Sequence, residues 1–402
     1  MKSIVVPKFN IAGRSFELSV PSSKSIANRA LILAALTNGT TRLRGDFEAE
    51  DIQLMIGGLK KMGIRVISGV RGIKIINDLG WRKNTKNVKL FLGNSGTSIR
   101  FLTSLMCFRS GNTVLTGKPR MLERPIADLV DALRQAGAKI EYLGRPGYPP
   151  LRVIGQGCLK GGRVAIKADT SSQFLSSLIL VSSACEKPIR FSVAGKRISK
   201  PYIDMTKAMT KKWRPGSEFV VEGDASAAVY WWALGFLHDC TITVKNIPKN
   251  SIQGDVKFLN VLKTLRALPA VPTLRTFDMN DMPDAALMLM AIAPFMKFPI
   301  RIMNVGSLRV KETDRIEAMA TELRKVGVKV KTGRDWIEIH PLAHLKGGII
   351  RMRTYDDHRI AMSMAILGTR LGNFEILDPD CVKKTYPGFW KKLKAFNKKP
   401  RR

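Results

Sequence analysis

Pro21–Leu36 reads PSSKSIANRALILAAL. A short polar cluster, Ser22–Ser25, runs directly into Ile26–Leu36, which is apolar almost all round. An all-round apolar helix is one buried on every side. Its first turn carries unpaired backbone N–H groups and a partial positive charge. The same device recurs five times: NSGT at Asn94–Thr97, TSSQ at Thr170–Gln173, GDAS at Gly223–Ser226, PDAA at Pro283–Ala286 and YDDHR at Tyr355–Arg359. After TSSQ, for instance, comes Phe174–Val181, FLSSLILV. Helix starts of this kind are ready-made anion sites. Six in one chain predict several helix ends gathered around one multiply charged ligand.

A second set of helices alternates with the first. LKKMGI at Leu59–Ile64, LRQAGA at Leu133–Ala138 and LRKVGV at Leu323–Val328 each end an amphipathic helix, with Gly as the C-cap, before a strand-like stretch. Less clear copies begin at Lys200, Gln253 and Lys384. Buried and amphipathic helices in alternation predict six similar α/β units. The starts at Ser22, Asn94, Thr170, Asp224, Pro283 and Asp356 lie 72, 76, 54, 59 and 73 residues apart. The third and fourth units are therefore short by roughly one hairpin. Where their strand signature belongs, Thr210–Ser217 reads TKKWRPGS and Leu265–Pro272 reads LRALPAVP.

The chain has 402 residues, 45% hydrophobic and 25% charged, which suits two soluble domains. Lys and Arg number 67 against 32 acids, a formal charge of +35. That excess fits nucleic-acid or membrane-surface binding, or an enzyme for polyanionic small molecules. It is spread along the chain; the one dense run, Lys391–Arg402 (KKLKAFNKKPRR), reads as a solvated or frayed tail. Five scattered cysteines without CxxC spacing read as free thiols of a reducing cytosol. MKSIVVPKFN at the start is too weakly apolar for a signal peptide, and Ala285–Met296 is too short for a membrane span. A soluble, cytoplasmic protein is expected.

Several clusters carry chemistry. In PSSKSIANR, Lys24 and Ser25 fall in the first turn of the helix, and Arg29, four residues after Ser25, lies on the same face as Ser25, a pattern suited to phosphate. Arg29 inside an apolar helix is costly unless it is partnered. GNSGTSIR at Gly93–Arg100 offers close backbone approach and hydroxyl donors. RMLERP at Arg120–Pro125 carries two arginines before a helix. RVKETDR at Arg309–Arg315 packs cations beside Glu312 and Asp314, and either Thr313 or Asp314 suits the following N-cap. Asp356–Arg359 places two acids, His358 and Arg359 before another apolar helix. No Walker A loop occurs, GQGCLKGG at Gly155–Gly162 does not fit GxGxxG, and the four histidines lack metal-ligand spacing with the cysteines.

Taken in order, these motifs resemble the 5-enolpyruvylshikimate-3-phosphate synthase family of enolpyruvyl transferases. The match runs from PSSKSIANRA through GNSGTSIR, RMLERPIADLVDALRQAGA, SSQFLSSLI, SKPYIDMT, VEGDASAA, DMNDMPDAA, RVKETDRIEAMATELRKVG and TYDDHRIAM to KKTYPGFW. The resemblance implies an α/β fold of two domains, an inside-out α/β barrel of three similar units each, with buried helices aimed at the cleft between them. One domain would comprise 1–20 and 222–402, the other 21–221. It implies transfer of the enolpyruvyl group of phosphoenolpyruvate to the 5-hydroxyl of shikimate 3-phosphate. The route is addition and elimination through a tetrahedral intermediate, without metal or other cofactor, in chorismate and aromatic amino acid biosynthesis. The partners implied are small-molecule substrates, with neither nucleic acid nor membrane, acting on a monomer.

Carried over residue by residue, Lys24, Ser25, Arg29, Ser171, Ser172, Gln173, Ser199, Tyr202, Asp284, Ser307 and Lys311 would hold shikimate 3-phosphate. Lys24, Asn94, Gly96, Arg124, Gln173, Arg315, Arg359 and Lys384 would surround phosphoenolpyruvate. Lys24, Asp284 and Glu312 would be catalytic, Asp284 as proton acceptor at the 5-hydroxyl and Glu312 as its acid/base partner. Asp357 and His358 would sit beside the chemistry. Three departures stand out: Ser307 in place of a common Asn, Phe101 after SGTSIR, and the two trimmed units. Ser307 would weaken one substrate contact, and Phe101 would shift its helix and with it affinity for mimics such as glyphosate. The related UDP-N-acetylglucosamine enolpyruvyl transferases use a loop cysteine that Thr116–Met121 (TGKPRM) lacks. An RNA 3′-phosphate cyclase uses a histidine nucleophile in another context. A nucleic-acid-binding protein accounts for the charge but not for buried helices headed by substrate groups.

Overall fold

All six apolar runs are helices in the computed structural model, which describes residues 2–69, 71–167, 170–195, 199–216, 218–345 and 347–397. They span Lys24–Leu36, Gly96–Met106, Ser172–Val181, Ala225–His238, Pro283–Ile292 and His358–Leu371, and nearly every residue of each is buried. Four begin on a side-chain cap: Ser23, Ser171, Asp224 and Asp357 each accept a first-turn N–H. Capping by Ser or Asp satisfies a donor that burial would otherwise leave stranded. Pro283 starts its helix where the missing N–H costs nothing.

The amphipathic helices follow as expected. Glu50–Lys61, Ala127–Gln135 and Arg315–Val326 end near Gly63, Gly137 and Gly327, all with positive φ. Of the two candidate caps in RVKETDR, Asp314 is the one used; it accepts from Glu317 N. The copies begun at Lys200, Gln253 and Lys384 form helices Lys200–Lys212, Phe258–Ala267 and Phe389–Phe396.

The chain divides into two compact units, Met1–Pro21 with Gly223–Arg402, and Ser22–Glu222. In Ser22–Glu222 the helices beginning at Lys24, Gly96 and Ser172 pack on one another; in the other unit those beginning at Ala225, Pro283 and His358 do so. Three sheets share one plan, a parallel strand pair extended by an antiparallel hairpin. Their strand orders are Glu218–Val220, Gly39–Arg44, Gly72–Asn77, Arg65–Gly69; then Val88–Phe91, Asn112–Thr116, Leu151–Ile154, Lys139–Tyr142; then Arg275–Asp278, Ile300–Met303, Ile337–Ile339, Val330–Thr332. Two other sheets hold the parallel pair alone: Gly161–Lys167 with Lys187–Ala194, and Thr241–Val244 with Ser15–Leu18. These belong to the third and fourth repeats, so the missing spacing is the missing hairpin. The sixth repeat pairs Ile350–Met352 with Phe374–Leu377 and adds Ser3–Val6 antiparallel.

One expectation needs correction. The basic run from Lys391 is not solvated throughout. Lys391–Phe396 belongs to a helix whose Leu393 and Phe396 are buried, with Phe396 stacked on Trp231 at 5.1 Å between centroids. Apolar residues spaced three apart override the charges around them. Residues 398–402 of the run lie outside the described residues.

Candidate active site

Each unit holds its own buried cluster of charge. In Ser22–Glu222, Lys24 opens its helix and points Nζ at Asp51, 2.9 Å from Oδ2, with the lysine 14% and the aspartate 2% exposed. Asn94 and Gly96 stand at the next buried helix start. Arg124 Nη1 donates to Asn94 O at 3.0 Å and to its Oδ1 at 3.2 Å. A Cβ on Gly96 would lie 2.5 Å from Arg124 Nη2, so only glycine leaves room for the guanidinium. Gln173, at the start of the Ser172 helix, donates from Nε2 to Thr97 Oγ1 at 3.1 Å and accepts from Arg100 Nη1 at 2.6 Å. Arg100 also reaches Ser171 Oγ and Pro125 O, tying two helix starts and the arginine loop together.

Arg29 is 1% exposed and entirely partnered by neutral groups. Nε donates to Thr206 Oγ1, Nη1 to Ser25 O, and Nη2 to Ser176 Oγ and Tyr202 O. Burial pushes its pKa down to about 10, only partly offset by Tyr202. Ser199 adopts a left-handed φ of 53° before the Lys200–Lys212 helix, and its carbonyl accepts from Tyr202 N at 3.1 Å. Ser25, Arg29, Ser199 and Tyr202 thus form one connected patch. Ser172 is buried at the neighbouring helix start. Phe101, buried, lies under the Arg29 guanidinium at 5.3 Å.

The second cluster lies in the unit formed by both termini. Asp284, in the first turn of its helix, faces Arg315 Nη1 at 2.8 Å, Arg359 Nη2 at 3.1 Å and Lys311 Nζ at 3.7 Å. Burial by itself pushes its carboxyl up. Arg359, Lys311 and Arg315 together outweigh burial and hold it far below the ordinary carboxylate range. The magnitudes make this reasonable: full burial raises an acid by up to about 3–5 units, and each close cation lowers it by about 1–3. Arg315 is 1% exposed and bridges three carboxylates: Asp284, Glu312 at 2.9 Å and Asp357 at 2.7 Å. Those anions overcome the downward pull of burial and raise its pKa further. Lys384 approaches Glu312 at 3.8 Å. His358 Nδ1 lies 3.8 Å from Asp357 Oδ1. Ser307 sits half-buried in the short Gly306–Val310 turn that leads to Lys311.

The predicted residues therefore fall into two clusters, one per unit. Lys24, Ser25, Arg29, Asn94, Gly96, Arg124, Ser171, Ser172, Gln173, Ser199 and Tyr202 lie in the first; Asp284, Ser307, Lys311, Glu312, Arg315, Arg359 and Lys384 lie in the second unit. Sequence reasoning missed Asp51 and Arg100. Asp51 reads as an ordinary acid complementing a helix dipole, and Arg100 closes GNSGTSIR without a visible partner. It also missed Tyr230, a buried phenol in the Ala225–His238 helix. Burial pushes Tyr230 up to about 12 against the pull of Arg359 and Arg315. Among the described residues no group of His, Cys, Asp and Glu is arranged to hold a metal ion, and no helix is long and apolar enough to cross a membrane.

The family model for EPSP synthase (3-phosphoshikimate 1-carboxyvinyltransferase) matches residues 14–214 and 209–393. The 3-phosphoshikimate 1-carboxyvinyltransferase of Tolumonas auensis is 41% identical over 95% of this chain and 96% of its own. That of Vibrio atlanticus is also 41% identical, over 95% and 97%. Among solved structures, EPSP synthase from Acinetobacter baumannii superposes with a TM-score of 0.75 at 23% identity, covering 98% of this chain and 97% of that one. This likeness bears on the fold alone. Family model and sequence identity carry the assignment: this chain belongs to the EPSP synthase (3-phosphoshikimate 1-carboxyvinyltransferase) family.

Proposed function

We infer that this protein transfers the enolpyruvyl group of phosphoenolpyruvate to the 5-hydroxyl of shikimate 3-phosphate and releases inorganic phosphate. The observation that carries this reading is the family match, together with the cations gathered at the buried helix starts of each unit. The first cluster sets Lys24, Arg29, Arg100 and Arg124 against Asp51. The second sets Lys311, Arg315, Arg359 and Lys384 against Asp284, Glu312 and Asp357. Desolvated cations are costly without counter-charge. Two phosphates and two carboxylates suit such a gathering of cations, in the bidentate form that guanidinium favours.

The assigned roles follow the same logic. Lys24, Ser25, Arg29, Ser171, Ser172, Gln173, Ser199, Tyr202, Asp284, Ser307 and Lys311 bind shikimate 3-phosphate. For Arg29 this means a substrate contact added to four acceptors already in place. Lys24, Asn94, Gly96, Arg124, Gln173, Arg315, Arg359 and Lys384 bind phosphoenolpyruvate. Asp284 removes the 5-hydroxyl proton, and Glu312 with Lys24 moves protons at the enol carbon and bridging oxygen. Three cations make Asp284 a poor base as it stands. Phosphoenolpyruvate supplies competing negative charge, draws Arg359 and Arg315 to itself and lifts the Asp284 pKa. The acid then becomes a base only when its co-substrate is bound. The enzyme works as a cytoplasmic monomer.

Phosphate release from phosphoenolpyruvate, measured with purified protein and shikimate 3-phosphate, tests the reading. Release only with UDP-N-acetylglucosamine as acceptor, or salt-sensitive RNA binding without turnover, would overturn it. Asp284→Ala is expected to lower kcat by about 10²–10⁴.

A further inference from the structure

The His358–Leu371 helix, which delivers Arg359, is preceded by an unusual turn. Tyr355 and Asp356 both take left-handed φ, 58° and 51°, in succession. Neither is glycine, so each is intrinsically unfavourable there and needs its surroundings to hold it. Asp357 N closes the turn on Thr354 O at 2.9 Å. Asp357 then does two things. Its Oδ1 accepts Arg359 N at 2.9 Å as the N-cap, and its carboxylate receives Arg315 at 2.7 Å and 3.1 Å. The position of this turn therefore sets the position of both arginines.

What holds the turn is a carboxylate outside the cluster. Glu322 lies two helical turns after Arg315 on the same Arg315–Val326 helix, and its side chain is wholly buried. Its Oε1 accepts from Tyr355 Oη at 2.6 Å, and its Oε2 accepts from Arg353 N at 3.1 Å. Lys325 balances its charge from 2.7 Å and also donates to Arg351 O. Each carboxyl oxygen thus accepts one bond from the segment leading into the turn and one from Lys325. One helix thus grips the segment twice, through Arg315 on Asp357 and through Glu322 on Tyr355 and Arg353.

We propose that Glu322 and Tyr355 are positioning residues for the phosphoenolpyruvate site: their hydrogen bond holds the left-handed Tyr355–Asp356 turn and so sets Asp357, Arg315 and Arg359 at the spacing the substrate anion needs. This rests on the function proposed above, with Arg315 and Arg359 as anion ligands. The Tyr355 proton is held firmly by burial and by the Glu322 carboxylate, which keeps the phenol a donor.

Tyr355→Phe deletes one oxygen and Glu322→Gln keeps shape while removing charge. Steady-state kinetics of each, of the double variant and of Arg359→Ala are compared with thermal midpoints. Tyr355→Phe and Glu322→Gln are expected to raise KM for phosphoenolpyruvate roughly tenfold, the scale on which small misplacements act. KM for shikimate 3-phosphate stays at the parent value. The double variant should match Glu322→Gln alone, because the two residues make one interaction. Lower thermal midpoints with parental KM values would make the pair merely structural and overturn the proposal; should Glu322→Gln fail to fold, Tyr355→Phe decides. Arg359→Ala separates the two levels. If it raises KM for phosphoenolpyruvate and Tyr355→Phe does not, the positioning role alone fails. If it leaves KM unchanged, the anion-site reading fails and the proposal with it.

Discussion

Gly96 shows how one atom sets the site. Its missing Cβ leaves room for the Arg124 guanidinium, which a methyl group would meet at 2.5 Å from Nη2. The arginine is also held by the Asn94 carbonyl and amide, so it has little freedom to step aside. Gly96→Ala is expected to raise KM for phosphoenolpyruvate about tenfold or more, with the thermal midpoint nearly unchanged. Kinetics and a melting curve on one preparation check this. Lys24, Asn94, Arg124 and Asp284 are candidates from the sequence through the motifs that carry the family resemblance. Asp51 and Arg100 are not, because their importance lies in whom they face. Arg29 was legible as a buried cation, but its four neutral acceptors come from three separate helices.

At the scale of elements, the buried helices depend on their first turns. Asp224 caps the Ala225–His238 helix, accepting from Ala227 N at 3.1 Å. Asp224→Ala is expected to cost about 1 kcal/mol of stability, read as a lower urea midpoint with unchanged slope. The same helix ends on His238, buried against Thr369 Oγ1 at 2.9 Å. Burial, then Arg370, push its pKa down to about 4. A ring with a folded pKa below its ordinary 6.5 takes up a proton on unfolding. Its contribution is therefore full above pH 6.5 and is lost as the pH falls toward about 4. Urea midpoints across that range should fall less steeply for His238→Gln than for the parent. Equal slopes would show that other groups govern the acid limb.

The whole molecule carries two consequences of its composition. The third and fourth repeats keep their buried helices but hold only a parallel strand pair. Fewer neighbours leave more backbone hydrogen bonds next to water, and such segments open at lower free energy. Amide exchange is expected to be faster in Lys187–Ala194 and Thr241–Val244 than in Asn112–Thr116 or Ile300–Met303. Uniform protection would show that the missing hairpins are compensated elsewhere. The formal charge of +35 adds self-repulsion to the compact state. Raising salt from about 0.02 to about 0.3 M shortens the screening length several-fold and should raise the thermal midpoint. A midpoint that falls with salt would mean that ion pairs dominate over repulsion.

The sequence by itself determined the elements and their order. Polar caps, apolar runs and glycine stops are local signals, and local signals act through hydrogen bonds within a few residues. It also determined the trimming of two repeats, because a missing hairpin is a missing length of chain. Only the tertiary structure decided which charges meet. Arg315 faces Asp357 42 residues away, Lys24 faces Asp51 27 away, and Tyr355 reaches Glu322 33 away. Such pairs are chosen by packing, which brings distant helix ends together in a medium where an unpaired charge cannot remain. The PSSKSIANR start was visible as an anion-seeking end, while the counter-charge that holds its lysine ready came from the fold.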